Sequence, residues 1–147
     1  MHDETKPMSL IYKEESYTIM GACFEVYRER GCGLGEPIYH ECLEREFLLQ
    51  KIPAVHEPKV ELEYKGHKLT QHLRPDFIAY QKIILELKSV SHLNDEHRAQ
   101  TQNYLRATGH KLGLLINFGH YPKLEWERIV LDTHHPKPTE PPPKLQG

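Results

Sequence analysis

The sequence predicts an α/β (α+β) fold, a central mixed sheet flanked by helices, and three observations carry that reading. Two amphipathic helical patterns open the chain, several stretches of strand character follow, and a polar helix then leads into a short, almost wholly apolar strand. The length of 147 residues suits one domain, because a chain of this size buries most of its apolar surface in a single core.

Residues 17–30, YTIMGACFEVYRER, place Ile19, Cys23 and Val26 on one helical face with Met20, Phe24 and Tyr27 beside it, and Gly31 ends the pattern. After the link GCGLG, Pro37 suits the first turn of a second helix, in which Tyr39, Cys42, Leu43 and Phe47 form an apolar stripe as far as about Gln50. Pro53 and Pro58 bracket a loop. KVELEY then sets Val60, Leu62 and Tyr64 against charged neighbours, as a half-buried strand does, and KGHK turns the chain. LTQHLRPDFIAY and IILELKSV read as two more strands, so the sheet is expected to begin as a meander, with the isoleucine- and leucine-rich second strand at its middle. Residues 94–108 are polar and helical with a stop at Gly109, KLGLLINF is the apolar strand, and WERIVL adds an edge strand. The expected organisation is an N-terminal extension over 1–16, a domain over 17–132 and an extended or disordered proline-rich tail over 133–147.

Charge narrows the function classes. With 19 basic and 21 acidic side chains and a formal net charge of -2, no global positive field draws the chain to nucleic acid, so any such site is local. No apolar run is long enough for a membrane span, and MHDETKPMSL lacks the basic start and apolar stretch of a signal peptide, which predicts a cytoplasmic location. Cys23, Cys32 and Cys42 fit neither a zinc spacing nor a disulfide framework and read as reduced thiols. His134 and His135 lack partner ligands at defined spacing and are assigned no metal.

The chemistry concentrates in RPDFIAYQKIILELKSV. Strand side chains alternate, so Glu86 and Lys88 share one face while Leu85 and Leu87 take the other. Asp76 joins them only in one register. A two-residue turn at Gln81 and Lys82 pairs Tyr80 with Ile83 and sends Asp76 to the wrong face; a three-residue loop over 80–82 pairs Ala79 with Ile83 and brings Asp76 opposite Glu86, and a β-bulge also serves. Two carboxylates so placed repel unless a proton or cation lies between them, and hard oxygen ligands favour Mg²⁺ or Mn²⁺. The competing reading is a turn-capping Asp76 beside a Glu86–Lys88 surface ion pair worth about 0 to 1 kcal/mol.

RPD followed by ELK resembles the active-site motif of the PD-(D/E)XK nuclease superfamily. Gly33, Glu36 and Tyr39 in GLGEPIY reproduce the signature of its GxxExxY family, and similarity extends over about residues 19–118, through IMGACFEVYRERG, YHECLEREF, QNYLRATG and KLGLLINFG. The resemblance implies a restriction-endonuclease-like αβββαβ core with the site at one edge of the sheet. It implies Asp76, Glu86 and the Leu87 carbonyl as metal ligands, Glu41 as a further acid from the helix, and Lys88 and Gln100 as the groups that position the reactants. Glu41 otherwise reads as a solvated side chain, and Glu36 reads as bracing the helix start, where a negative charge meets the dipole. His97, Gln100 and Tyr104 share a helical face; His97 either contacts phosphate or remains a surface histidine, and Tyr104 packs with its hydroxyl at the border. Arg74 and Arg98, with Arg106 and Lys111, either converge as phosphate contacts or scatter over the surface. The implied function is a metal-dependent nuclease hydrolysing DNA or RNA phosphodiesters with Mg²⁺ or Mn²⁺; the alternative is a non-catalytic nucleic-acid-binding or regulatory module retaining the fold.

Overall fold

The computed structural model describes residues 11–132. The expected tail over 133–147 and most of the N-terminal extension lie outside those residues. In chain order the elements are α1 (Lys13–Arg30), α2 (Glu36–Gln50), β1 (Ala54–His56), β2 (Val60–Tyr64), β3 (His67–Leu73), β4 (Phe77–Ala79), β5 (Ile83–Lys88), α3 (Asp95–Thr108), β6 (Leu112–Asn117) and β7 (Glu125–Val130).

Helix α1 begins four residues before the expected position, with Glu14 and Glu15 in the first turn where their charge suits the dipole. It buries Ile19, Met20, Cys23 and Val26, whereas Phe24 falls off the apolar face and stays 46% exposed. Gly31 ends it with φ at 72°, its N–H donating to the Tyr27 carbonyl. Helix α2 follows Gly35 at its N-cap, carries Pro37 in its first turn and buries Tyr39, Leu43 and Phe47. Helix α3 has a capping box in which the Asn94 side chain accepts from the His97 N–H and the His97 ring accepts from the Asn94 N–H, and it stops at Gly109 in the left-handed region. No described helix is long and apolar enough to cross a membrane. All three cysteines are free, and burial pushes the Cys23 thiol up, which keeps it inert in the core.

Among the described residues the main sheet has five strands in the order β1-β4-β5-β6-β7. Strands β5 and β6 are parallel, joined across α3, and the other pairs are antiparallel, so the sheet is mixed. The meander is corrected in one respect. Strands β2 and β3 pair only with each other, as a separate hairpin, and the stretch read as one strand breaks at 74–76. Pro75 supplies the reason: it has no N–H for a ladder and is buried at the break. The place beside β4 is taken by β1, a three-residue strand inside the segment read as loop.

Helices α1 and α2 cover one sheet face, where Ile19, Val26, Leu43 and Phe47 join Leu85, Leu87, Leu114 and Ile116 in one core. Helix α3 covers the other so closely that a Cβ at Gly113 would meet the Thr101 methyl at 2.8 Å. Strand β5 is buried from Ile83 to Leu87, as expected of the sheet centre.

Strands β4 and β5 pair Phe77 with Leu85, Ile78 with Ile84 and Ala79 with Ile83. The connection is therefore the three-residue loop, and the register runs on to set Asp76 opposite Glu86. Tyr80 and Gln81 hold φ at 54° and 62°, and the loop is fastened by Tyr80 N–H to the Pro53 carbonyl at 2.8 Å and Lys82 N–H to the Ala79 carbonyl at 3.1 Å. A side chain in the left-handed region costs roughly 1–2 kcal/mol, part of which glycine loses again to chain entropy. Gln81→Gly is accordingly expected to stabilise the protein by about 0.5–1 kcal/mol, seen as a higher urea midpoint at unchanged m-value.

Candidate active site

The Pro75 break frees the Asp76 side chain and main chain to meet β5. Asp76 N–H donates to Glu86 Oε2 at 2.8 Å, and Leu87 N–H donates back to Asp76 Oδ2 at 2.7 Å. This reciprocal pair locks both carboxyl groups at the strand junction. Glu86 is only 3% exposed and Asp76 is half-buried. Burial, and then the neighbouring Asp76 charge, push the Glu86 carboxyl up to about 9. Burial raises Asp76 as well, against the lowering pull of the Leu87 N–H, His40 and Lys88. Neither group ionises freely beside the other, so the site stores a demand for a proton or a cation.

Lys88, the last residue of β5, donates from Nζ to Gln100 Oε1 on α3 at 3.2 Å. The next turn of α3 brings Tyr104, whose phenol is raised by burial and then by the Glu86 and Asp76 charges, against a lowering pull from Gln100. Lys88, Gln100 and Tyr104 thus form a polar chain beside the two carboxyls.

Helix α2 contributes differently from expectation. Glu36 and His40 offer ligand atoms within 4.8 Å of each other and of Asp76, and His40 Nε2 lies 3.6 Å from Asp76 Oδ2. Glu41 is exposed on the wall of a groove of about 620 Å³ that Glu36 and His40 line together with Glu44, His56 and Glu57, but it does not belong to the group around Asp76. His40 escaped the sequence reading, although its spacing of four from Glu36 places the two on one helical face. His40 Nδ1 also meets His56 Nε2 at 2.9 Å, with Glu57 Oε1 3.2 Å from that same His56 nitrogen.

The residues of the G-x-x-E-x-x-Y pattern now have physical roles. Gly33 holds φ at 88° and its N–H reaches the Phe118 carbonyl at 3.3 Å. Tyr39 stacks on Phe118 at 4.6 Å, donates to the Gly31 carbonyl at 2.6 Å and accepts from the Leu34 N–H at 3.1 Å. Together they pin the link between the helices and so fix where α2 begins, which is where Glu36 sits.

The expected phosphate contacts do not converge. Arg98 is committed to Glu127 and Asp95 at 2.7–3.0 Å, and His97 to the cap of α3. Arg74, two residues before Asp76 in the chain, is exposed and donates to the Glu57 carbonyl at 3.2 Å. Arg106 bonds Asn103 on its own helix, and Lys111 is exposed at the start of β6, beyond the C-terminal end of α3.

A divalent cation fits this donor set. Asp76 and Glu86 are hard oxygen donors held together against their own repulsion, and Glu36 and His40 stand within reach of Asp76.

The crystal structure of SSO0001 superimposes with a TM-score of 0.51 at 21% identity, covering 82% of this chain and 57% of that one. An alkaline exonuclease (LHK-Exo) from Laribacter hongkongensis gives a TM-score of 0.45 at 13% identity, covering 60% of this chain and 52% of that one. The chain spans little more than half the length of either. A search of curated proteins finds no match. The sequence pattern of one family fits residues 13–129, a span that takes in both N-terminal helices, the Asp76 and Glu86 hairpin, α3 and the closing strands. On that match the chain belongs to the PD-(D/E)XK nuclease superfamily.

Proposed function

We propose that this protein is a metal-dependent nuclease that hydrolyses nucleic-acid phosphodiesters, with Asp76, Glu86 and the Leu87 carbonyl holding Mg²⁺ or Mn²⁺ and Glu36 or His40 completing the set. Within the superfamily, Gly33, Glu36 and Tyr39 favour the GxxExxY group. The observation that carries the reading is the reciprocal Asp76–Glu86 pair, two buried carboxyls whose mutual repulsion a dication relieves.

A bound dication supplies Lewis-acid charge at the phosphate and lowers the pKa of its water. The chain's own groups do the rest. Lys88 brings a positive charge beside both carboxyls, where it orients the nucleophile or offsets charge building on phosphorus. Gln100 accepts from Lys88 Nζ and so holds that ammonium on the reacting side. Arg74, exposed and two residues before Asp76 in the chain, serves as a phosphate contact if it leaves the Glu57 carbonyl. Glu41, Glu44 and Glu57 on the groove repel a phosphodiester backbone, so substrate approach is expected on the Lys88 side.

The purified protein should cleave DNA or RNA in the presence of Mg²⁺ or Mn²⁺ and lose that activity on chelation, with Asp76→Ala inactive and Lys88→Ala slowed by roughly 10²–10³-fold. Equal cleavage by all three preparations would expose a contaminant. Absence of both cleavage and uptake of millimolar Mn²⁺ would instead favour a non-catalytic module built on the fold.

A further inference from the structure

We infer that a second cation site, separate from the Asp76 and Glu86 pair, is formed by His92, His120 and Glu125, and that it takes Zn²⁺ or a similar borderline transition ion. These residues offer ligand atoms within 4.8 Å of one another. They converge from three parts of the chain: His92 follows β5, His120 follows β6, and Glu125 opens β7.

Each of the two less exposed members is already oriented. His120 Nδ1 lies 2.7 Å from the Lys123 carbonyl, and a carbonyl only accepts, so Nδ1 carries the proton and Nε2 keeps the lone pair. A backbone carbonyl behind a ligating imidazole is the usual way a metal-binding histidine has its tautomer fixed. Glu125 Oε1 accepts from the Leu93 N–H at 2.8 Å and from Asn117 Nδ2 at 3.0 Å, which leaves Oε2 for a cation. Asn117 is itself fully buried, and its Oδ1 accepts from the N–H groups of Val90 and Gly119 at 3.0 Å each. One side chain therefore ties together the two segments that carry the histidines.

His92 is the exposed member, and its ring meets that of His120 edge to face with centroids 5.4 Å apart. A tetrahedral ion with bonds of about 2.0–2.1 Å keeps its ligand atoms about 3.4 Å apart, so the set closes by rotation of the exposed ring. Two imidazoles and one carboxylate select Zn²⁺, Co²⁺ or Ni²⁺ over Mg²⁺, whereas the Asp76 and Glu86 pair adds at most the His40 imidazole to its oxygens; His40, His56 and Glu57 offer a set like that of His92, His120 and Glu125, which the His56→Ala variant below tells apart. Three protein ligands also leave a fourth position for water or a small anion. Because the Phe118 N–H donates to the Lys88 carbonyl at 2.8 Å, an ion here steadies the end of β5 from which Lys88 projects.

The test is a Zn²⁺ titration by calorimetry on the full chain in millimolar Mg²⁺, paired with Co²⁺ binding followed by visible absorption. Wild type and Glu86→Gln are expected to bind the same tight equivalent, and His92→Ala and His120→Gln each to weaken it by at least about tenfold. Thermal melts in chelator should be unchanged for His92→Ala, since its ring is exposed, and Zn²⁺ should raise the melting temperature of wild type but not of that variant. Binding that survives both histidine variants, that disappears in Glu86→Gln, or that is lost in His56→Ala would move the ion elsewhere and overturn the inference. So would an absence of tight Zn²⁺ binding by wild type.

Discussion

Lys88→Ala is expected to lower kcat on a cleavable nucleic acid by roughly 10²–10³-fold without weakening Mn²⁺ binding. The two readouts separate because Lys88 touches Gln100 and its charge lies beside both carboxyls, yet it is a cation and cannot be a ligand. Removing a positive charge next to a bound dication leaves metal affinity unchanged or tightens it. Asp76→Asn should do the opposite, weakening Mn²⁺ by at least about tenfold and removing cleavage with it. Calorimetry beside single-turnover kinetics reads both quantities. Parallel losses of metal affinity in the two variants would mean that Lys88 supports the architecture of the site, not its chemistry.

Glu86→Gln should make the metal-free protein more stable at alkaline pH and leave it nearly unchanged in acid. The folded protein holds the Glu86 proton up to about pH 9, whereas an unfolded glutamate releases it near 4.3. Between those values the native state binds the extra proton, so stability falls as pH rises, by roughly 1 kcal/mol per pH unit while the difference is complete. Below about pH 4 both states are protonated and the contribution is whole. Glutamine still accepts the Asp76 N–H but has no charge to bury, so its stability curve should lack this slope. Saturating Mn²⁺ should stabilise wild type increasingly as pH rises and do much less for the variant. Urea midpoints in chelator from about pH 5 to 9 decide this; superimposable wild-type and Glu86→Gln profiles would contradict it.

Much of this fold was legible because its signals are periodic. The Ile19, Cys23 and Val26 spacing, the Asn94 and Gly109 boundaries and the unbroken apolar run of β6 each depend on a few neighbouring residues. The register that unites Asp76 with Glu86 was also reachable, since a period of two makes only an odd loop or a bulge compatible with the pairing. What escaped was set by contacts distant in sequence. Strand β1 is three residues long and exists because β4 pairs with it, so its own sequence carries little strand signal. The isolation of the β2–β3 hairpin follows from the break at Pro75, which an alternating pattern alone does not reveal. Glu41 and Glu36 are both acids near the start of α2; which of them reaches Asp76 depends on the rotation of that helix against the sheet, fixed by Tyr39 on Phe118. Arg98 looked available until β7 brought Glu127 to it.

The shared cation between Asp76 and Glu86 is the claim on which the rest depends. A crystal structure of the protein soaked with Mn²⁺, phased on the anomalous signal, tests it most directly. The expected result is an anomalous peak in contact with both carboxylates and the Leu87 carbonyl, lost in Asp76→Asn. Fully ordered Asp76 and Glu86 side chains with no peak between them at saturating Mn²⁺ would contradict it.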